Sequence, residues 1–260
     1  MKKINSRPAS LKEVPFHYCP GCGHSIVHRL VAEVIDEMKL REKSICSLGV
    51  GCAVVAYKYL DVDTVEAPHG RAAAVATGIK RVRPENIVFT YQGDGDMAAI
   101  GTAETLHAAN RGELITVIFI NNAVYGMTGG QMAPTSLVGQ KTTTSPAGRN
   151  PLKEGYPLKF SEVLALLEGS SYLERVAVNN PANIIKAKKA IAKAFQHQKK
   201  KSGFSVVEIL SPCPTNWRMS SVESCRWIDE VMTKVYPLGG GLSKTAHLGD
   251  VIKKKEINHI

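Results

Sequence analysis

The sequence predicts an α/β fold in which a parallel sheet is covered by helices. Short β-branched runs alternate along the chain with apolar patterns of helical spacing, most of those runs are apolar on both faces, and no internal repeat or low-complexity linker interrupts them. Strands that bury both faces belong in a parallel sheet layered between helices.

The first helical pattern is "HSIVHRLVAEVIDEMKL", with Ile26, Leu30, Val34 and Met38 on one side. "SICSL", "TVEA" and "NIVFTY" read as strands, and a helix is expected over residues 97–110. "LITVIFI" is the next strand, followed by a polar stretch at residues 129–156 rich in Gly, Pro and Thr. Loops of that length in compact domains are usually functional. "YLERVAV" and "FSVVEIL" complete the strands, and between them lies "NNPANIIKAKKAIAKAFQHQKKK". There Asn180 and Pro181 give a cap-and-first-turn signal, and Ile184, Ala187, Ile191, Ala194 and Phe195 form the apolar stripe. Residues 1–238 are read as one domain, and the Gly- and Lys-rich residues 239–260 as a peripheral tail.

With 260 residues, 44% of them hydrophobic, the chain can bury a substantial core. The basic start lacks an apolar targeting region and no uncharged apolar run approaches a membrane span, so a cytoplasmic protein without a membrane partner is expected. Six cysteines are too sparse for a disulfide scaffold, which turns their meaning toward metal or redox work. The net charge of +10 raises nucleic acid as a partner. Against it, the lysines fill the polar face of one helix, no aromatic residues alternate with them, and no zinc-finger or RNP pattern accompanies them. A solvated face, or the docking of an acidic protein, accounts for them instead.

"TYQGDGDMAAIGTAE" places Asp94 and Asp96 among glycines at the carboxyl end of a strand, where open α/β sheets bind ligands. The turn suggests a phosphate cradle, which two carboxylates would repel. A divalent cation between carboxylate and phosphate removes the conflict, since Mg²⁺ is held by one or two protein oxygens plus phosphate oxygens. A second ligand should then stand at the end of the neighbouring strand. "LITVIFINNAVYGMTGGQ" supplies Asn122, 28 residues beyond Asp94, the span of one helix and one strand.

This GDG-to-NN pattern resembles that of thiamine diphosphate enzymes. The resemblance implies Mg²⁺ on Asp94, Asn122 and the backbone carbonyl of Val124. It also implies that the diphosphate rests on the backbone of Gly95 and Asp96 and on the turn of Gly126 and Met127. The competing reading is an ordinary strand-to-helix turn with Asp96 as helix cap.

"HYCPGCGH" sets Cys19 and Cys22 at C-x-x-C spacing, which suits a zinc knuckle, a redox pair or half of an iron–sulfur site. Cys52 in "SLGVGCAVVAY" and Cys213 in "EILSPCPTNW" follow strands and fall at the same sheet edge, whereas Cys46 and Cys225 read as inert. Cys19, Cys22, Cys52 and Cys213 together fit a 4Fe-4S cluster, with structural zinc as the alternative.

Thiamine diphosphate and four such cysteines on one chain resemble the β subunit of the 2-oxoacid:ferredoxin oxidoreductases. The motifs "YCPGCGH", "HGRA", "ATGIKR", "YQGDGD", "NN-x-VYGMTGGQ" and "CPTNW" carry the resemblance, and the detailed wording is most similar to the branched-chain, 2-oxoisovalerate group. It implies oxidative decarboxylation of a 2-oxoacid, coenzyme A as co-substrate, and electrons passed through the cluster to ferredoxin. Val50, Gly51, Cys52 and Ala53 would belong to a turn against the cofactor and His69 would lie near it, while Arg71 is equally a helix-start or salt-bridge residue. The partners implied are an α subunit supplying the activating glutamate, γ and ferredoxin-like δ subunits or domains, and ferredoxin. Glu66 and Glu104 carry no motif for that glutamate's role, and His17, His24 and His28 are read as surface or core residues. Pyruvate or 2-oxoglutarate could replace the branched-chain substrate. A non-oxidative thiamine decarboxylase half would not need the cysteines, and a zinc-stabilised binding module leaves the GDG-to-NN spacing unexplained.

Overall fold

A computed structural model describes residues 6–240. In chain order its main elements are α1 (His24–Glu37), β1 (Ser44–Leu48), β2 (Asp63–Glu66), α2 (Ala72–Val82), β3 (Ile87–Gly93), a π-helical turn (Asp96–Ile100), α3 (Thr102–Asn110) and β4 (Thr116–Asn121). Then follow α4 (Pro151–Glu154), α5 (Phe160–Ala165), β5 (Ser170–Ala177), α6 (Pro181–Lys199), β6 (Phe204–Leu210), α7 (Pro214–Trp217), α8 (Ser221–Trp227) and β7 (Gly239–Gly240). The strand order is β2-β1-β3-β4-β6-β5-β7, parallel throughout except for β7.

The two-residue period of the strands feeds two cores. Phe89, Tyr91, Ile118, Ile120, Val207 and Ile209 pack on one face beneath α1 and α6. Their neighbours Val88, Val117, Phe119 and Val206 pack on the other beneath α2, α3 and α5. Both faces are therefore dry, as the unbroken apolar runs require. β2 is the exception, an edge strand with only Thr64 half-buried.

α6 begins as expected: the Asn180 side chain accepts from the Asn183 N–H at 2.9 Å, and Pro181 occupies the first turn. Ala187, Ala190, Ile191, Ala194 and Phe195 are fully buried against the sheet and α1. On its polar face Lys188 bonds Glu33 at 2.8 Å and Glu37 at 2.6 Å, while Lys193 approaches Glu174 at 3.8 Å. On α1 the buried stripe is centred on Val27, Val31 and Ile35; Leu30 and Val34 share it, but Ile26 and Met38 are only partly covered. The stripe is wider than one row because the sheet and α6 both press on it. The helix expected over residues 97–110 is divided, with a π turn closed by Gly101 N to Asp96 O at 2.9 Å before α3 begins.

β7 brings Gly239 and Gly240 antiparallel onto β5, so the expected tail starts on the sheet edge. From residue 241 onward that tail lies outside the described residues. Among the described residues no helix is long and apolar enough to cross a membrane.

The order of the strands locates the ligand crevice. From β1 the chain proceeds outward to β2, and from β3 it proceeds the opposite way to β4, so the direction of winding reverses between β1 and β3. A crevice opens at the carboxyl ends of the strands on either side of such a reversal.

Candidate active site

An open cavity lies at that switch point. Its walls come from the turn after β1 (Val50, Gly51, Cys52, Ala53), the end of β3 (Gly93, Asp94, Gly95, Asp96) and the segment after β4 (Asn122, Val124, Tyr125, Gly126, Met127, Thr128). His24, His69, Ala99 and Ile100 complete it, so every position expected around the cofactor lines one cavity. No lysine or arginine is among these lining residues.

Asp94 and Asn122 converge on a single backbone group. The Val124 N–H lies 3.2 Å from Asp94 Oδ2 and 3.3 Å from Asn122 Oδ1. Asp94 Oδ1 accepts from Gly95 N at 2.9 Å, and Oδ2 also accepts from the Thr135 hydroxyl at 2.8 Å. Burial nevertheless pushes the Asp94 carboxyl up to about 7, the hydrogen bonds only partly offsetting it. A buried carboxylate facing a cavity with no cationic side chain is suited to a bound cation. The turn itself is strained: Ala123 adopts φ 56°. It is held by Asn121 Oδ1 accepting from Ala123 N at 3.2 Å, and the Asn121 amide donates to Glu208 at 2.7 Å.

Asp96 does not cap a helix. Its fully buried carboxylate accepts from Val50 N at 3.1 Å, Gly70 N at 2.7 Å and the Gln92 amide at 2.7 Å, and pairs with His69 Nδ1 at 2.6 Å. One side chain thus ties the turn after β1, the His69 loop and β3 together. Gly95 is required beside it, since a Cβ there would lie 2.8 Å from the Tyr125 ring.

The long loop at residues 129–156 braces this wall. Besides Thr135, it contributes Ser136 and Gln140, whose side chains donate to the Ala123 carbonyl at 2.6 and 2.9 Å. The loop is held from within by buried Arg149, whose guanidinium donates to the carbonyls of Ala133, Pro134, Ser136, Glu154, Gly155 and Tyr156. From the C-terminal segment, the Tyr236 hydroxyl donates to the Thr135 carbonyl at 2.7 Å. Sequence reasoning marked the loop but could not single out Thr135, one of several threonines in it.

The cysteines gather at the adjoining wall. Cys22 N donates to Cys19 O at 3.0 Å, and Gly23 N donates to Pro212 O at 3.2 Å, joining the C-x-x-C turn to the Cys213 segment. Asn216 of "CPTNW" bridges Cys213 Sγ at 3.2 Å and Gly126 O at 3.1 Å. A Cβ on Gly126 would lie 3.5 Å from Cys52 Sγ, so this cysteine abuts the turn expected to hold diphosphate. Burial, with smaller contributions from Cys213 and Cys19, pushes the Cys22 thiol up to about 12 and that of Cys52 up to about 11. Among the described residues no three His, Cys, Asp or Glu side chains close on a single metal ion. Cys46 is sealed inside β1, whereas Cys225 lies within α8 and is only half-buried.

Of the three histidines read as surface or core residues, one is exposed and two are buried. His17 is exposed and bonds the Tyr59 hydroxyl, and His28 is wholly buried with Nε2 2.9 Å from the Tyr18 hydroxyl. His24, read from sequence as a surface or core residue, is buried and also lines the cavity, bonding the Tyr91 hydroxyl through Nδ1 at 2.9 Å. Burial pushes its imidazole down to about 4. Its place at the start of α1, with "CGH" carrying it past the cysteine turn to the sheet edge, was the signal available. Arg71 precedes α2 and pairs with Glu104 at 2.7 Å; neither it, Glu104 nor the exposed Glu66 lines the cavity.

The described geometry accords with known proteins. The sequence profile of the thiamine pyrophosphate enzyme C-terminal TPP-binding domain matches residues 49–209. A ketoisovalerate oxidoreductase subunit, VorA, of Methanothermobacter marburgensis is 45% identical over 98% of this chain and 55% of its own length. This chain thus spans about half of that relative. The 2-oxoglutarate synthase subunit KorB of Archaeoglobus fulgidus is 40% identical over 84% of this chain and 77% of its own. Among solved structures, a 2-oxoglutarate:ferredoxin oxidoreductase from Magnetococcus marinus, with 2-oxoglutarate, coenzyme A and succinyl-CoA bound, superimposes with a TM-score of 0.72. It is 31% identical and covers 82% of this chain and 70% of the other. The crevice at the β1/β3 switch point, the profile and these relatives agree that this chain belongs to the thiamine pyrophosphate-binding subunits of the 2-oxoacid:ferredoxin oxidoreductase family.

Proposed function

We propose that this chain is the β subunit of an oxidoreductase that converts a 2-oxoacid of the branched-chain, 2-oxoisovalerate type to its acyl-CoA and CO₂, passing electrons through a 4Fe-4S cluster to ferredoxin. The observation that carries the reading is the convergence of Asp94 Oδ2 and Asn122 Oδ1 on one backbone N–H. Two oxygens drawn to one point, one of them a buried carboxylate with no cationic side chain on the cavity wall, suit Mg²⁺ shared with a diphosphate. Asp94, Asn122 and the Val124 carbonyl would hold the ion. The backbone of Gly95, Asp96, Gly126 and Met127 would carry the diphosphate, with Val50, Gly51, Cys52, Ala53 and His69 around the cofactor. When bound, thiamine diphosphate supplies the electron sink for decarboxylation. This chain's part is to position it, through the Asp96 carboxylate that locks three loops, and to keep a low-dielectric wall around it.

Cys19, Cys22, Cys52 and Cys213 would ligate the cluster. The thiols of Cys22 and Cys52 are each raised by Cys213 and Cys19, which supports four thiols near enough to share one cluster. Cys52 abutting Gly126 supports a short electron path from cofactor to cluster. An α subunit would supply the activating carboxylate, and γ and ferredoxin-like δ subunits or domains would complete the assembly. The likeness to a ketoisovalerate oxidoreductase subunit supports the branched-chain substrate over pyruvate or 2-oxoglutarate.

The test is to purify the assembled complex anaerobically, measure iron and acid-labile sulfide, and follow coenzyme A-dependent ferredoxin reduction with each 2-oxoacid. Iron and sulfide with the fastest reduction on 2-oxoisovalerate are expected. Zinc without sulfide would overturn the cluster, and a faster reaction with 2-oxoglutarate or pyruvate would overturn the substrate.

A further inference from the structure

Two imidazoles stand on the cavity wall, and hydrogen bonds fix each in an opposite sense. His69 directs Nδ1 at the buried Asp96 carboxylate, 2.6 Å away. A carboxylate accepts only, so Nδ1 of His69 carries a proton and that N–H is spent on Asp96.

His24 is set the other way. Its Nδ1 lies 2.9 Å from the hydroxyl of Tyr91, a residue with no exposed surface. Among the described residues His24 is the only hydrogen-bond partner of that hydroxyl. Were Nδ1 the donor, the single hydroxyl proton of Tyr91 would be buried without an acceptor, which carries the full desolvation penalty. Tyr91 therefore donates, and the proton of the His24 ring resides on Nε2. The ring is held by stacking on Tyr18 at 5.0 Å and 14°. Tyr18 is fixed in turn: its hydroxyl donates to the Cys52 carbonyl at 3.0 Å and so accepts from His28 Nε2. That leaves Nδ1 of His28 sealed without a partner. His24 Nε2 differs in one respect: among the described residues it has no hydrogen-bond partner and is not one of the sealed polar atoms, on a residue that lines the cavity.

We propose that His24 is a substrate-binding residue whose Nε2–H donates to an oxygen of the 2-oxoacid in the cavity. The inference rests on the functional reading above. A 2-oxoacid anion offers acceptors and no donors, and the cavity wall has no lysine or arginine to receive it. Of the two imidazoles, His24 presents an N–H that no protein group among the described residues takes, whereas the Nδ1–H of His69 is spent on Asp96.

In the assembled complex, His24→Phe keeps the ring on Tyr18 and removes the donor, His24→Gln restores an N–H near the Nε2 position, and Tyr91→Phe frees the tautomer while keeping the ring. Loss of a hydrogen bond to a charged group should raise the KM for the 2-oxoacid about tenfold or more in His24→Phe. A smaller rise is expected in Tyr91→Phe and partial recovery in His24→Gln. Thiamine diphosphate affinity by calorimetry and the EPR signal of the reduced cluster should stay as in the wild type. Solid-state ¹⁵N NMR of the complex with labelled histidine, assigned by difference from His24→Phe, should show His24 protonated on Nε2. An unchanged KM, a shift in cofactor affinity or EPR signal in its place, or a proton on Nδ1 would overturn the proposal. A wild-type complex that turns over no 2-oxoacid would instead bring down the functional reading, and this inference with it.

Discussion

The carboxylate wall of the cavity and its thiol wall are assembled in contrasting ways. Asp94 and Asn122 end neighbouring strands whose register is set by five paired residues, and protein donors already engage both oxygens of Asp94. Cys19, Cys22, Cys52 and Cys213 come from three turns distant in sequence, and of their sulfurs Cys213 is braced by a side chain, that of Asn216. The difference teaches that one half of the site is built by sheet topology and exists before any ligand arrives. The other half is gathered by loops, and burial raises the thiols of Cys22, Cys52 and Cys213, so a metal bound there would have to displace their protons.

The largest effect should come from breaking the preformed half. Asp94→Ala and Asn122→Ala should each weaken Mg²⁺-dependent thiamine diphosphate binding beyond the roughly 10–100-fold typical of losing a group that merely orients a ligand. Circular dichroism should remain that of the folded chain. Calorimetry on either folded variant giving wild-type affinity would refute the metal assignment.

On the thiol wall, Cys52→Ser and Cys213→Ser should bleach the brown iron–sulfur absorbance of the anaerobic complex, while Cys46→Ser and Cys225→Ser should not. Equal loss from all four would show that the grouping around Gly126 does not select the ligands.

A finer probe of the contrast is Thr135→Val, which removes one donor to Asp94 and keeps the shape. Mg²⁺ affinity should fall by about 10–100-fold, with the cluster spectrum unchanged. A spectral change would mean that the two walls are not independent.

The smallest effect concerns how electrons leave. Lys186, Lys189 and Lys200 show no ion pair among the described residues, while Lys193 reaches Glu174 only at 3.8 Å. If this face of α6 steers an acidic ferredoxin, ferredoxin-dependent turnover should fall as salt rises from about 0.01 M to about 0.15 M, where the screening length drops from roughly 30 Å to roughly 8 Å. Turnover with an uncharged acceptor should not. Reversing these four lysines to glutamate should abolish the difference; an unchanged salt dependence would leave them an ordinary solvated face.

The contrast between the walls also explains what could be read from sequence. Five of the six parallel strands were legible because they bury both faces, β2 being the exposed exception, and the Asp94–Asn122 pairing because it spans a single helix-and-strand unit. The cysteine grouping came from the C-x-x-C pair and the strand ends that carry Cys52 and Cys213, since nothing local relates Cys19 to Cys213. Side-chain hubs were not legible at all. Asp96 looks in sequence like a helix cap, and its bonds to Val50, Gly70 and His69 arise from loops that only the fold brings together. Thr135 and His24 were hidden for the same reason: their partners, Asp94 and Tyr91, are 41 and 67 residues away.

The π turn at Asp96–Ile100 changes what the 28-residue spacing means. Such a turn holds one residue more than an α-helical turn of the same height. Counted along the chain it adds length; seen down the helix axis it sets phase. Without that residue everything beyond would rotate by about 100°. Glu104 would swing away from Arg71, and Ala108 and Ala109 would leave the core they share with Ala73 and Ala76. The interval between the strand that carries Asp94 and the strand that carries Asn122 is therefore an angular setting of α3 on the sheet. A relative with one residue fewer there would match the motif better by eye than in space.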